Sequence, residues 1–517
     1  MTDIADKARK DTLDKDLDKL VNVEEATTVV ARRLVAPGFG LLFLALTAIL
    51  TAIYVSGEPG GVAIVAAAAI GAYMALNIGA NDVANNVGPA VGAKALTMAG
   101  ALVIAAIFEV GGALIAGRDV VETISKGIVA PAAFPDPQIF IRLMIAALIS
   151  SALWVNLATW IGAPVSTTHS VVGGVLGAGV AAAGFAAVNW EVVGAIALSW
   201  VVSPIFGGVI AALFLAFIKS AIIYQDEKLV AARRWVPLLI AVMAGAFTSY
   251  LALMGLTRVV PLGGGAIALI GIAAFLLAWA ASSRYVAHQS RGMENRNQSL
   301  RKLFNLPLII SAALLSFAHG ANDVANAVGP VAAIVGMARG SAVNAAVEVP
   351  FWVMLIGAAG ISIGLLLFGP RLVRMVGEQI TRLNPMRAFC VALSAALTVI
   401  VASWLGLPVS STHIAVGAVF GVGFFREWYT ANSKRRRAYL ERKVARDRAG
   451  REAGGTAPSR NGDEAEDDLV PVSREEAIRR RLVRRAHVMT IVAAWVTTVP
   501  ISAVLAGAIF YALAVLV

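Results

Sequence analysis

One polar string occurs twice in this chain, each time at the end of a long apolar run. The first copy is Gly79-Ala80-Asn81-Asp82-Val83-Ala84-Asn85-Asn86-Val87-Gly88-Pro89 and the second is Gly320-Ala321-Asn322-Asp323-Val324-Ala325-Asn326-Ala327-Val328-Gly329-Pro330. An unpartnered Asp or Asn in an apolar surrounding costs several kcal/mol, so a chain that carries both twice, in the same order, is read as building one site from two halves. A second pair follows the first: Pro164-Val165-Ser166-Thr167-Thr168-His169 and Pro408-Val409-Ser410-Ser411-Thr412-His413. The Asp pair is 241 residues apart and the hydroxyl pair 244, and Glu109-Val110 is echoed by Glu348-Val349. Ordered matches at nearly one offset mark an internal repeat.

The surroundings of these strings are a membrane's. The 517 residues are 58% hydrophobic and 15% charged, with a mean hydropathy of +0.77. Apolar stretches of the roughly 20 residues that span a bilayer recur throughout. Alternating strands of an outer-membrane barrel are not seen, so the expected fold class is an all-α polytopic membrane protein with about 11–13 membrane segments. The net charge of +11 is read as the basic bias of cytoplasmic loops, not as a nucleic-acid surface. The single cysteine, Cys390, excludes an internal disulfide and reads as a small core residue.

The expected organisation is a cytoplasmic N-terminal tail over 1–38, an extra span in 39–60, a first transport repeat over 61–218, a linker with two spans over 219–305, and a second repeat over 306–517 that contains a charged cytoplasmic loop at 426–487. Five apolar stretches in the first repeat plus two in the linker make an odd number, so the second repeat enters the membrane from the opposite side. Reading each Ser/Thr stretch as a re-entrant hairpin leaves that parity intact. Placing the N-terminus in the cytoplasm also places the basic loops at 219–235, 284–305, 370–386 and 426–487 there, in a cell (inner or plasma) membrane. Inverted repeats with broken or re-entrant helices are the build of secondary transporters, with the site at their interface. The loop at 426–487 is read as a solvated linker, with regulation or lipid contact as the alternative.

The residue types suggest two kinds of ligand. Each string ends in a Gly-Pro step at which a regular helix is expected to break and free carbonyls. Asp82 and Asp323 supply charge; Asn85 and Asn326 lie three residues on, on the same helical face. Such hard oxygen donors suit Na⁺, with Glu109 and Glu348 as further cation ligands or supports. Ser166, Thr167 and Thr168, and Ser410, Ser411 and Thr412, each follow a proline and are placed at helix N-termini, where free N–H groups and the helix dipole favour an anion. Ordinary N-capping is the alternative, and two sets of three hydroxyls exceed what capping needs. His169 and His413 are read as packing residues before proton relays, and His319, which faces Ile78 in the other copy, as no part of the symmetric set. Gly173/Gly177 and Gly417/Gly421 read as helix packing surfaces. A cation beside the anion removes the repulsion between carboxylates and anion, and the two ligands then raise each other's affinity. Symmetric hydroxyls without a nearby Lys or Arg, and the lack of a Walker-type loop, argue against a phosphoryl-transfer enzyme; a channel would not need paired cation and anion sites.

At these residues the chain resembles the inorganic phosphate transporter (PiT) family of secondary transporters. The resemblance rests on the two Gly-Ala-Asn-Asp strings and the two Pro-Val-Ser tips and covers both repeats. It implies cation-coupled import of inorganic phosphate by alternating access. The implied phosphate site is Asn81, Asp82, Asn85, Ser166, Thr167 and Thr168 with Asn322, Asp323, Asn326, Ser410, Ser411 and Thr412. Na⁺ is the favoured coupling ion, because both strings keep the Asn-Asp-Val-Ala-Asn form of the sodium-coupled branch; H⁺ coupling, or sulfate as the anion, is the alternative. No organic cofactor is implied, the partners are phosphate, Na⁺ and the bilayer, and a homodimer is compatible with the sequence.

Overall fold

A computed structural model describes residues 34–134, 136–161, 165–340, 349–375, 383–434, 437–439, 441–442 and 485–516. The expected segments Pro164 and Glu348, the N-terminal tail before Leu34 and the centre of the charged loop lie outside these residues. Among the described residues the molecule is helical, and 11 helices are long and apolar enough to cross a membrane. It is a multi-pass membrane protein.

In chain order, α1 covers Leu34–Tyr54. Next come α2 (Gly61–Asn81), α3 (Ala84–Gly92), α4 (Met98–Ala116), the short α5 (Arg118–Glu122), α6 (Pro137–Ile161), α7 (Thr167–Ala183), α8 (Trp190–Ile218), α9 (Lys228–Met254) and α10 (Gly264–Gln289). The short α11 (Asn297–Leu303) precedes α12 (Asn305–Ala338), α13 (Phe351–Met375), α14 (Pro385–Trp404), α15 (Ser411–Asn432) and α16 (Arg485–Leu516). The apolar runs form helices because a chain in lipid must satisfy its backbone internally.

Burial orders the bundle. Of the most apolar stretch of α12, 89% lies inside the protein, against 6% for α10. So α12 is the axis, packed by α2, α4, α6 and α14, while α10 pairs with α9 and presents Leu269, Ile272, Leu276 and Leu277 outward. Such apolar exposure suits a lipid-facing surface.

Small residues set the closest approaches. A methyl group added at Gly173 or Gly177 of α7 would collide with the backbone of Val499 or Ala503 in α16. One added at Gly417 or Gly421 of α15 would collide with the backbone of Pro204 or Gly208 in α8. The packing is therefore crossed: α7 docks on α16, and α15 on α8.

Several boundaries differ from expectation. The two polar strings do not behave alike. The first breaks at Asp82–Val83, between α2 and α3. The second runs through α12 without interruption, with Pro330 inside the helix, as Pro89 lies inside α3. The expected break at both prolines is corrected. Buried among its neighbours, α12 stays continuous through Pro330, and only the proline's own missing N–H is lost. That N–H would have met the carbonyl four residues earlier, which belongs to Asn326 in one string and Asn85 in the other. The expected loop at 219–235 shrinks to a few residues, because a π-turn at Lys219–Ile223 extends α8 and α9 already starts at Lys228. Likewise α15 continues to Asn432, into the expected loop.

Candidate functional site

Both hydroxyl tips cap a helix inside the bundle. Ser166 Oγ accepts from the His169 N–H at 3.2 Å, and Ser410 Oγ accepts from the His413 N–H at 3.3 Å. Both hydroxyls thus act as N-caps, the ordinary role of Ser at that position. The residues after them are free for other partners. Ser166, Thr167, Thr168, Ser410, Ser411 and Thr412 are all buried.

The strings meet the tips in matched pairs. Asp82 Oδ2 accepts from the Thr167 hydroxyl at 2.7 Å, and Asp323 Oδ2 accepts from the Ser411 hydroxyl at 3.4 Å. Asn85 donates to Thr412 Oγ1 at 2.9 Å, and Asn326 to Thr168 Oγ1 at 3.1 Å. Shifting each member by the repeat offset turns the first contact of each pair into the second. The Asp–hydroxyl contacts stay within one copy, whereas the Asn–Thr contacts join the two copies. Three contacts depart from this symmetry: Thr412 also donates to Asp82 Oδ1 at 3.1 Å, Thr168 donates to the Val409 carbonyl at 2.9 Å, and Asn326 also donates to Thr167 Oγ1 at 3.3 Å.

Asn81 and Asn322 brace the tips. Asn81 donates to the Val165 carbonyl at 3.2 Å and to Asp82 Oδ1 at 3.1 Å. Asn322 donates to Ser403 Oγ and the Leu407 carbonyl and accepts from the Val409 N–H at 3.1 Å. With both amide hydrogens and its oxygen engaged, Asn322 holds the loop that presents Ser411 and Thr412.

At the centre, Asp82 and Asp323 are 2% and 1% exposed. Each offers an oxygen to a cluster with His319 in which the ligand atoms lie within 4.8 Å of one another. His319 is the residue that the sequence reading passed over. Its Nδ1 lies 2.8 Å from Glu109 Oε2, and its Nε2 approaches Asp323 Oδ2 at 2.9 Å without the alignment of a hydrogen bond. Asn86 donates to the other Glu109 oxygen at 2.9 Å. Glu109 thus stands behind His319, and its link to the Asp pair runs through the ring. A four-residue spacing from His319 to Asp323 put both on one helical face, the one signal the sequence held. Asp323 Oδ1 and Asn326 Oδ1 are buried and accept no hydrogen bond. Asp82 differs, with both oxygens already met by donors.

His169 and His413 meet behind the tips, ring centroids 4.4 Å apart and edge to face, and His169 packs on Trp200 at 3.8 Å. Trp200 in turn donates to the Pro408 carbonyl at 3.0 Å. These histidines tie the two tips to each other.

Comparison with known proteins gives the chain's family. The family model for the phosphate transporter family matches residues 78–506, a range that includes both strings and both tips. A Helicobacter pylori protein described as "Putative phosphate permease" is 45% identical over 525 aligned residues, which cover 95% of this chain and 97% of that one. A Chlamydia trachomatis protein with the same description is 38% identical over 377 residues, 69% of this chain and 88% of that one. A solved structure described as "The sodium-dependent phosphate transporter" superposes with a TM-score of 0.74 at 32% identity, covering 88% of this chain and all of that one. The chain belongs to the phosphate transporter family, a family of transporters and not of enzymes.

Proposed function

We propose that the protein imports inorganic phosphate together with Na⁺, by alternating access at a site between two inverted repeats. The observation that carries this reading is the matched set of contacts between the Asp/Asn strings and the Ser/Thr tips, which joins the two copies into one buried site. In this reading 61–218 and 306–517 are the two repeats, 219–305 links them, and the N-terminus faces the cytoplasm.

The physical logic is charge balance. Two ionised carboxylates whose oxygens are within 4.8 Å repel by about 3 kcal/mol or more at an effective dielectric of about 20. Adding phosphate alone worsens this; adding a cation relieves it. Asp323 Oδ1 and Asn326 Oδ1, the two open buried oxygens, are the first ligands we assign to Na⁺, and Asp82 and Asn85 complete the set. The hydroxyls of Thr167, Thr168, Ser411 and Thr412, at the N-terminal turns of α7 and α15, give their protons to Asp82, Asp323 and the Val409 carbonyl in this structure; turned from these acceptors once a cation neutralises the carboxylates, they supply donors to the anion. Phosphate also carries a proton near neutral pH, which an Asp can accept as a hydrogen bond and which sulfate lacks. Binding of either ion then favours the other, which is the thermodynamic content of symport.

H⁺ as the coupling ion is the second reading, and His319 between Glu109 and Asp323 is the observation that favours it. Radiolabelled phosphate uptake into proteoliposomes, under an imposed Na⁺ or H⁺ gradient, separates the two. We expect uptake that follows the Na⁺ gradient; uptake indifferent to both gradients overturns symport. Asp82→Asn and Asp323→Asn should each abolish gradient-driven uptake while the protein still inserts. Full transport in both variants removes these residues from the site.

A further inference from the structure

The second tip is reached through a short loop, Gly406-Leu407-Pro408-Val409, between α14 and α15. Each of its four carbonyls accepts a hydrogen bond from a different side chain. Thr123 Oγ1 donates to Gly406 at 2.7 Å, Asn322 Nδ2 to Leu407 at 3.1 Å, Trp200 Nε1 to Pro408 at 3.0 Å and Thr168 Oγ1 to Val409 at 2.9 Å. Three of these four donors lie within 61–218, and Asn322 lies within 306–517. Thr168 and Asn322 belong to a tip and a string. Thr123, in the turn after α5, and Trp200, in α8, belong to neither.

The loop runs inward, from half-buried Gly406 to buried Val409. Buried carbonyls without donors are costly, so such a loop keeps its shape only while its donors stay in place. Thr123 fixes where it begins. Gly406 has φ +67°, in the left-handed region, and a methyl group there would meet Thr123 Oγ1 at 3.4 Å and the Asp119 carbonyl at 3.5 Å. Trp200 fixes its middle, and the same ring packs on His169 of the first tip at 3.8 Å between centroids. The loop ends at Val409, next to the capping Ser410. Just beyond, Ser411 and Thr412 donate to Asp323 and Asp82. A shift of the loop therefore carries those two hydroxyls with it, and a binding constellation tolerates displacements of only about 0.5 Å.

We propose that Thr123 and Trp200 are positioning residues for phosphate: they hold the second tip from the other half of the chain and so set the affinity of the site, acting through Ser411 and Thr412. This rests on the phosphate reading above. The test compares wild type with Thr123→Val, Thr123→Ser and Trp200→Phe, each as the full chain. Hydrogen exchange read by mass spectrometry on a peptide spanning 405–412, in detergent and without phosphate, reports the loop itself. Radiolabelled phosphate uptake in proteoliposomes at fixed Na⁺ gives the half-saturating concentration and the maximal rate. We expect Thr123→Val and Trp200→Phe to speed exchange in that peptide. Each should raise the half-saturating concentration by about two- to tenfold, the worth of one neutral hydrogen bond, with a smaller effect on the maximal rate. Thr123→Ser, which keeps the hydroxyl, should restore both readouts. Exchange at the wild-type rate in both variants overturns the proposal. So does a fall in maximal rate with the half-saturating concentration unchanged, which is the mark of a merely structural role. Wild-type uptake that ignores both ion gradients defeats symport instead, and leaves these comparisons able to decide. Should Trp200→Phe fail to insert, the two Thr123 variants decide alone.

Discussion

The sharpest perturbation of the site is Thr412→Val, which changes shape little and removes one hydroxyl. That hydroxyl, 3% exposed, donates to Asp82 Oδ1 at 3.1 Å and accepts from Asn85 at 2.9 Å. A hydrogen bond to a charged group contributes about 1.5–3 kcal/mol, and a neutral one about 0.5–1.5 kcal/mol. Thr168→Val is the matched control: it removes a neutral bond to the Val409 carbonyl and one from Asn326, and no bond to a carboxylate. The difference between the two variants is thus about 1–1.5 kcal/mol, or roughly five- to tenfold in a binding constant. The assay is the phosphate concentration for half-maximal uptake in proteoliposomes, with Na⁺ fixed. We expect Thr412→Val to raise it by about tenfold or more, Thr168→Val to raise it less, and Thr412→Ser to stay near wild type. Wild-type behaviour in Thr412→Val, or a larger loss in Thr168→Val, would refute the role assigned to the Asp82 contact.

Three further outcomes follow from the packing. Gly177→Ala and Gly421→Ala push a methyl group into a facing helix backbone and should cost about 1–3 kcal/mol, read as a lower melting temperature in detergent. Gly38→Ala, with nothing within 4 Å of the new methyl, should leave the melting temperature unchanged or slightly raised. His319→Leu leaves Glu109 and Asp323 buried without the ring between them. Removing one member of such a buried polar set costs about 3–5 kcal/mol, so the variant should melt well below wild type, and added Na⁺ should restore part of the difference if Asp323 is a cation ligand.

The two strings and two tips could be read from the letters because Asp and Asn are costly in apolar runs, and a duplicated cost signals a duplicated purpose. The structure brings Asp82, Asn85, Asn326 and the tip hydroxyls together as that reading anticipates. Distant partners set what could not be read. The weight of His319 depends on Glu109, 210 residues away, and nothing in the neighbouring letters announces that contact. Gly88-Pro89 and Gly329-Pro330 are the same two letters and both lie inside helices, yet the first string is interrupted earlier, at Asp82–Val83, while the second runs unbroken through the buried α12. The capping role of Ser166 and Ser410 was implicit in the three-residue spacing to the histidine N–H groups, but which hydroxyl caps and which faces the Asp residues is decided by backbone direction at the tip.

The crossed packing has a consequence for biogenesis. The glycine face of α7 is completed by α16, which begins about 300 residues after α7 ends. At synthesis rates of about 5–20 residues per second, α7 waits about 15–60 seconds in the membrane with its close-packing groove uncovered. The α15 face, by contrast, finds α8 already in place as it emerges. A factor that shields small-residue grooves during insertion would have α7 to cover for the whole of that interval.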